Sequence, residues 1–277
     1  MKKSNIVDLS IIIVSYNTKK LTESCIKSIK RSKPRITYEI VVVDNGSADS
    51  SVKLLKKLKK TNLIQKLIVN KRNAGFAKAN NQGLKVSKGK YKLLLNSDTV
   101  VEKGVLEKMI SFSEKHNDAG VIGSKLILSD GSVQESCFNF PTVLNAFKEY
   151  WLGQKKTYDK FAPKGNKPVA VDAIVGAAFL ITPKGFKKVG MLNEKYFMYF
   201  EDIDYCWEIE REGLKTYYLP NVKIKHLHGA SGKKMRRDEV YQMLHNSSKN
   251  YHGKIKHFVI QFILWSGQKM RKSCLSS

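Results

Sequence analysis

The sequence predicts an α/β fold in which a mostly parallel central sheet carries helices on both faces, and a basic helical tail follows it. Three observations lead there. Strand signals and helical periodicity alternate from Leu9 to Leu95. The strand segments are apolar throughout, as in strands covered on both faces. Two of them run directly into an aspartate, Asp44 and Asp98, at the carboxyl ends where such sheets bind ligands.

Taken in order, Leu9 to Ser15 is a continuous apolar, β-branched run and reads as the first strand. From Lys19 to Arg31 a helix is expected, with Leu21, Cys25, Ile26 and Ile29 on one face. Tyr38 to Val43 is the second strand, ending in the turn cluster Asp44-Asn45-Gly46-Ser47, after which Asp49 or Ser50 can cap a helix through Leu58. Gln65 to Val69 gives a third strand, Ala74 to Val86 a helix, and Tyr91 to Leu95 a fourth strand closing on Asn96-Ser97-Asp98. After residue 115 the alternation loosens. Val121 to Leu128, a turn at Asp130-Gly131, a lysine-rich loop from Gln154 to Lys167 and an apolar run from Val169 to Ile181 form a second half, 116–232, completing what 1–115 begins. Pro220 interrupts a strand-like stretch from Thr216 to Ile224, and residues 233–277 form the tail.

A chain of 277 residues with 42% hydrophobic content can bury a large core without disulfides or a structural metal. Cys25, Cys137, Cys206 and Cys274 are scattered without a C-x-x-C pair, which argues against a zinc cluster or a disulfide framework and for a reducing cytoplasmic setting. The apolar run Ile11 to Val14 is too short for a signal-peptide core. The net charge of +26 raises a phosphate-rich partner, nucleic acid or an anionic membrane surface, but diffuse lysine is as well explained by codon bias and general attraction to anions, so charge alone names no function. Only seven of the 50 basic residues are arginine, however, and no helix-turn-helix, aromatic RNA-binding signature or zinc spacing is present, so a specific nucleic-acid reader is disfavoured.

Three segments carry candidate chemistry. Leu93 to Asp98 delivers a carboxylate at the end of an apolar strand, suited to Mg²⁺ or Mn²⁺ bridging to a diphosphate, although a lone strand-end aspartate is commonly a turn former. Glu201, Asp202 and Asp204 crowd the start of a helix behind Tyr199 and Phe200; they satisfy the helix dipole and also offer a base beside an aromatic wall. His226 and His228 share a face if the segment is extended, as metal ligands or structural histidines.

Together these segments resemble the family 2 inverting glycosyltransferases, which include bacterial rhamnosyltransferases. The resemblance spans residues 8–232 and rests on Ile12-Ile13-Val14-Ser15-Tyr16-Asn17, Val42-Val43-Asp44-Asn45-Gly46-Ser47, Asn73-Ala74-Gly75-Phe76-Ala77 with Asn80, Leu95-Asn96-Ser97-Asp98, Phe200-Glu201-Asp202-Ile203-Asp204 and His226-Leu227-His228-Gly229-Ala230-Ser231. It implies a GT-A type, Rossmann-like domain with a nucleotide-binding half (1–115) and an acceptor half (116–232). Ser15, Tyr16 and Asp44 are then expected at the base and ribose, and Asn73, Gly75 and Asn80 near the diphosphate. Asp98 and His226 become the expected ligands of Mg²⁺ or Mn²⁺, with neutral Asn96 where many relatives have an acid, and Asp202 the expected catalytic base. The implied reaction moves rhamnose, another hexose or an N-acetylhexosamine from a UDP- or dTDP-sugar to a saccharide or lipid-linked acceptor in cell-surface polysaccharide synthesis. A nucleotidyltransferase is the nearest rival, but Ser15-Tyr16-Asn17-Thr18 lacks its Gly-rich basic loop.

No specificity code is readable in Phe138 to Trp151 or Lys155 to Lys167, the segments expected to set the sugar and acceptor. The tail carries ten basic residues against two acids around Phe258 to Trp265. That run is too short to span a bilayer, which takes about 20 residues. It suits either an anionic membrane surface on the cytoplasmic side or a face docked on the domain.

Overall fold

A computed structural model describes residues 7–227 and 237–275. His228, Gly229, Ala230, Ser231 and the boundary expected at 232 lie outside them. The first half runs β1 (Leu9–Ser15), α1 (Lys19–Arg31), β2 (Tyr38–Asp44), α2 (Ser51–Lys60), β3 (Lys66–Val69), α3 (Phe76–Val86) and β4 (Tyr91–Leu95). The second runs β5 (Thr99–Val101), α4 (Val105–Lys115), β6 (Ala119–Ile127), β7 (Cys137–Phe138), α5 (Val143–Tyr150), β8 (Val169–Val171), β9 (Ala173–Ile174), β10 (Ala178–Ile181), α6 (Pro183–Val189), α7 (Glu201–Arg211) and β11 (Lys215–His226). Helices α8 (Arg237–His252) and α9 (Lys254–Leu275) follow.

The main sheet has the order β3-β2-β1-β4-β10-β6-β11-β5, with β8 on β11. Its first four strands are all parallel, and Ser15 stands in register with Asp44. Alternate strand residues feed two cores: Ile11, Ile13, Val42 and Leu93 meet α1, α2 and α4, while Ile12, Val41 and Leu94 meet α3 and α7. Both faces are therefore dry, which is why these strands are apolar at most positions, with buried Ser10, Glu39 and Lys92 the exceptions near the starts of β1, β2 and β4.

The second half is mixed. β10 is antiparallel to β4 and β6, and β11 is parallel to β6 but antiparallel to β5 and β8. The apolar run 169–181 splits into three strands. Asp172 turns aside to accept the Phe140 amide at 2.8 Å, and Gly176 separates β9 from β10. Pro220 does not end its strand: β11 passes through it at a register shift between Leu219 and Lys223, where no ladder hydrogen bond is asked of the proline.

Cys25, Cys137 and Cys206 are free and buried, and burial pushes their thiols up to about 12. They are packing residues rather than nucleophiles. The tail docks on the domain through one face of α9. Ile260 and Ile263 bury against Ala146 of α5, with Val143 and Tyr150 alongside.

Candidate active site

The carboxyl ends of β1, β2 and β4 open into a cavity of about 120 Å³ lined by Tyr16, Asn45, Asn73, Gly75, Asn96, Asp98, Phe197 and Met198 among others. Asp44 stands fully buried at the end of β2. Its Oδ1 accepts the Ser47 amide at 2.9 Å, which shapes the turn, while Oδ2 has no hydrogen-bond partner. An unpaired buried carboxylate oxygen costs about 1–3 kcal/mol, so Asp44 keeps the capacity to accept a donor from a ligand.

Asn45 is the hub of the wall. Its Nδ2 donates to Asn73 Oδ1 at 2.8 Å and to the Gly75 carbonyl at 3.2 Å, and its Oδ1 accepts from Asn70 Nδ2 at 2.9 Å and the Ala74 amide at 3.0 Å. In the sequence it stands only as a member of the turn cluster after Asp44, where an asparagine looks like turn chemistry alone.

Ser15, Asp44 and Asn80 do not line this cavity. The Ser15 hydroxyl turns inward to Thr22 at 3.0 Å and Thr18 at 3.4 Å, and Thr18 continues to Ser97 at 3.1 Å. Asn80 Nδ2 donates back to the Phe76 carbonyl at 3.0 Å. Gly75 does permit a close approach, as its φ of +90° requires, but the approaching group is protein: a Cβ there would lie 2.6 Å from the Phe197 carbonyl oxygen. That carbonyl takes the Phe76 amide at 2.6 Å, so the first amide of α3 is spent on Phe197. The 197–198 segment is thereby clamped over the cavity.

A metal-suited pair lies where β4, β5 and β11 converge. His226 pairs with Thr99 in the β5–β11 ladder, and the Leu227 amide donates to the Asp98 carbonyl at 2.8 Å. His226 Nδ1 is 2.7 Å from Gln134 Oε1. Assigned from that acceptor, the proton sits on Nδ1 and the Nε2 lone pair points inward. Nε2 lies 3.2 Å from Asp98 Oδ1. The imidazole nitrogen and the carboxylate oxygen thus face one another as a pair of metal ligands would.

One imidazole nitrogen and one carboxylate oxygen fit Mg²⁺ or Mn²⁺ if a ligand's phosphate oxygens and water complete the shell. No group of three or more His, Cys, Asp or Glu forms a closed metal cluster among the described residues. Asn96 presents its amide nitrogen to His226 Nε2 at 3.4 Å, so here it orients the imidazole rather than offering an oxygen. Gln134 escaped the sequence reading because nothing local ties it to a histidine 92 residues away.

A second cavity, about 430 Å³, shares Asn96, Asp98 and Met198 with the first and adds Gln134, Phe138, Pro141, Tyr158, Lys160, Tyr199, Phe200, Asp202 and His226. Phe138, Pro141, Tyr158 and Lys160 come from the two segments that carried no readable code. Asp202 is half-buried in this wall. Its Oδ2 accepts the Gly176 amide at 3.0 Å and its Oδ1 the Ile203 amide at 2.9 Å. Burial pushes the Asp202 carboxyl above the usual aspartate range, against the lowering pull of the Gly176 amide and Lys160.

The three acids of the helix start go separate ways. Glu201 is buried with Oε2 unpartnered, and burial together with the Asp202 charge pushes its carboxyl well up. Asp204 braces the preceding turn, accepting from Tyr196 Oη at 2.7 Å and pairing with Lys195 at 3.3 Å. Tyr199 and Phe200, in front of them, both adopt left-handed φ, +71° and +68°. Such strain costs on the order of 1–3 kcal/mol per residue and concentrates at functional sites.

The sequence profile of Glycosyl transferase family 2 matches residues 10–176. The chain belongs to that family. Among curated family 2 relatives, the poly(ribitol-phosphate) beta-glucosyltransferase of Bacillus spizizenii is 26% identical over 225 residues, covering 76% of this chain and 34% of that protein. TarS, the poly(ribitol-phosphate) beta-N-acetylglucosaminyltransferase of Staphylococcus aureus, is 29% identical over 213 residues, covering 74% and 36%. The chain thus spans about a third of the length of these two relatives.

Among solved structures, S. aureus TarS 1-349 in complex with UDP-GlcNAc superposes with a TM-score of 0.57 at 19% identity, covering 93% of this chain and 70% of that one. GalNAc-T7 with UDP, GalNAc and Mn²⁺ gives 0.64 at 17% identity, covering 80% and 44%. These likenesses establish the GT-A fold for this family 2 chain, and at such identities the fold alone.

Proposed function

We propose that this family 2 chain transfers a sugar from a nucleoside-diphosphate donor to a hydroxyl of a saccharide or lipid-linked acceptor in cell-surface polysaccharide synthesis, with inversion at the anomeric carbon. The observation that carries the reading is the cavity in which Asp202 shares a wall with Asp98 and His226, opening at Asn96 and Asp98 onto the cavity beside Asp44. A base and an anion-stabilising pair then act on opposite ends of one displacement.

In this reading Tyr16 and the unpaired Asp44 Oδ2 receive the base and ribose, and Asn73 borders the diphosphate. Ser15 and Asn80 act from behind the wall, bracing it, and Gly75 lines it beside Asn73. Asp202, made more basic by its burial, takes the proton from the acceptor hydroxyl as that oxygen attacks. Asp98 and His226, with Asn96 beside them, would hold Mg²⁺ or Mn²⁺, whose positive charge offsets the negative charge that grows on the departing diphosphate. Gln134 keeps the His226 lone pair aimed at that position. UDP is favoured over dTDP by the ligands of the TarS and GalNAc-T7 structures, and the names of the two curated relatives favour glucose or N-acetylglucosamine over rhamnose.

The test is donor hydrolysis and transfer across a panel of UDP- and dTDP-sugars with Mg²⁺ or Mn²⁺, comparing wild type with Asp98→Ala. Metal-dependent turnover of one donor, lost in the variant, is the expected result. Failure of every donor to bind or turn over would overturn the assignment.

A further inference from the structure

Helix α9 is apolar on two faces. The inner one is spent on α5, and Gly267 sits so close that a Cβ there would lie 2.8 Å from the Tyr150 carbonyl oxygen. The outer one carries Ile255, Phe258, Phe262 and Trp265, which are 82, 72, 55 and 55% exposed. Their spacing keeps them on one stripe of the helix. A face meant for water would be polar here.

The polar residues of α9 are equally one-sided in charge. No Asp or Glu occurs between Lys254 and Leu275. Lys254 and Lys256 open the helix, and Lys269 Nζ lies 4.3 Å above the Trp265 ring at the far end of the stripe. Its packing partner exposes a stripe of its own, Leu144, Phe147 and Trp151, the last two stacked at 5.9 Å.

We propose that α9 is a docking plate for an anionic lipid surface, lying flat with Phe258, Phe262 and Trp265 at the headgroup–acyl boundary and its lysines among the headgroups. Aromatic side chains on an acid-free, lysine-flanked helix match that environment in both polarity and charge. A second copy fits it poorly, since a symmetric contact would press two acid-free basic faces together. No helix among the described residues is long and apolar enough to cross a membrane, so α9 rests on the surface.

The plate is joined to the active site through Tyr158, which packs in the α5–α9 cluster and also lines the cavity that holds Asp202. Docking of α9 therefore sets that cavity beside the bilayer, and the acceptor is a lipid-anchored saccharide presented from the surface. This last step rests on the proposed transfer reaction; lipid binding itself does not.

The experiment is co-sedimentation of the full chain with vesicles of phosphatidylcholine alone and of phosphatidylcholine mixed equally with phosphatidylglycerol. UDP binding and Tm are measured on the same samples. Wild type binds the anionic vesicles, weakly binds the neutral ones, and loses affinity as salt is raised. Phe258→Ser, Phe262→Ser and Trp265→Ser combined lose about tenfold or more in vesicle affinity, with UDP binding and Tm unchanged, as removal of the inserted groups requires. Lys254→Glu with Lys269→Glu removes the preference for phosphatidylglycerol.

Absence of wild-type binding to the anionic vesicles, or undiminished binding by the triple variant, overturns the proposal. So does a concentration-dependent dimer that the triple variant abolishes, which assigns the stripe to a second copy. Vesicle binding without UDP binding would instead count against the transferase reading and leave the plate standing.

Discussion

The two halves of the sheet build their share of the site by different means. In the half from β1 to β4, each functional residue stands where its strand stops or in the loop just beyond: Tyr16 after β1, Asp44 at the end of β2, Asn73 after β3, Asn96 and Asp98 after β4. Parallel topology alone brings those ends together. In the other half, Gln134 comes from a loop, Asp202 from a helix start and His226 from the tip of a long strand. Hydrogen bonds to chain-distant partners hold them in place: Gln134 to His226, Gly176 to Asp202, Leu227 to Asp98. A site laid out by topology tolerates change in single side chains, whereas one assembled from tertiary contacts depends on each of them.

That contrast is broken first at Asp202. Asp202→Asn is expected to lower kcat by about 10²–10⁴-fold, the share of a general base, while UDP binding measured by calorimetry is retained. The Asp202 carboxyl is raised in the native state, so between the ordinary aspartate range and that raised value the native chain holds a proton that the unfolded chain has released. Stability therefore falls as pH rises through this window. The Tm of the variant relative to wild type should therefore rise as pH rises through the window.

At Gln134 the expectation concerns aim rather than contact. Gln134→Leu removes the acceptor that fixes the His226 tautomer and should weaken apparent Mn²⁺ affinity by about 10–100-fold. Gln134→Glu, which still accepts from Nδ1, should restore most of it. Equal losses in both variants would mean that the residue only fills space.

In the topological half, Gly75→Ala tests the clamp. With φ of +90° and the Phe197 oxygen 2.6 Å from the new Cβ, it should cost about 1–3 kcal/mol of stability by thermal melting. UDP affinity should fall with it, because Phe197 and Met198 are displaced from the cavity wall.

The smallest effect is expected at Glu201. Its carboxyl is pushed well up by burial and the Asp202 charge, so it stays protonated past the ordinary range. Glu201→Gln should melt closest to wild type in acid and gain on it as pH rises, because wild type must then ionise a buried acid.

The same contrast decides what the sequence disclosed. Ile11, Ile13, Val42 and Leu93 mark buried strands because both faces of the sheet are covered, and the aspartates that follow mark the ligand edge. Helix ends came within a residue or two, as at Phe76, where the expected start was Ala74. The candidates Asp98, Asp202 and His226 were legible only as parts of a family pattern, since each alone has an ordinary structural explanation.

Gln134 was not legible, and Asn45 was legible only as a member of the turn motif that follows Asp44. Their importance lies in partners that only the folded chain supplies, and glutamine and asparagine advertise no chemistry of their own. Ser15 and Asn80 belong to the pattern yet point away from the cavity, because the hydroxyl cluster with Thr22 and the Phe76 carbonyl claim their polar atoms. The outer stripe of α9 was visible as apolar residues, but only docking on α5 reveals which of them stay outside.

The late arrival of β11 governs when the protein becomes competent. During synthesis β1 to β4 emerge well before His226, so Asp98 leaves the ribosome long before its imidazole partner. Closure of the β5–β11 ladder sets His226 opposite Thr99 and beside Asp98 in one stroke. A polypeptide cut short of β11 therefore keeps Asp98 without the imidazole beside it.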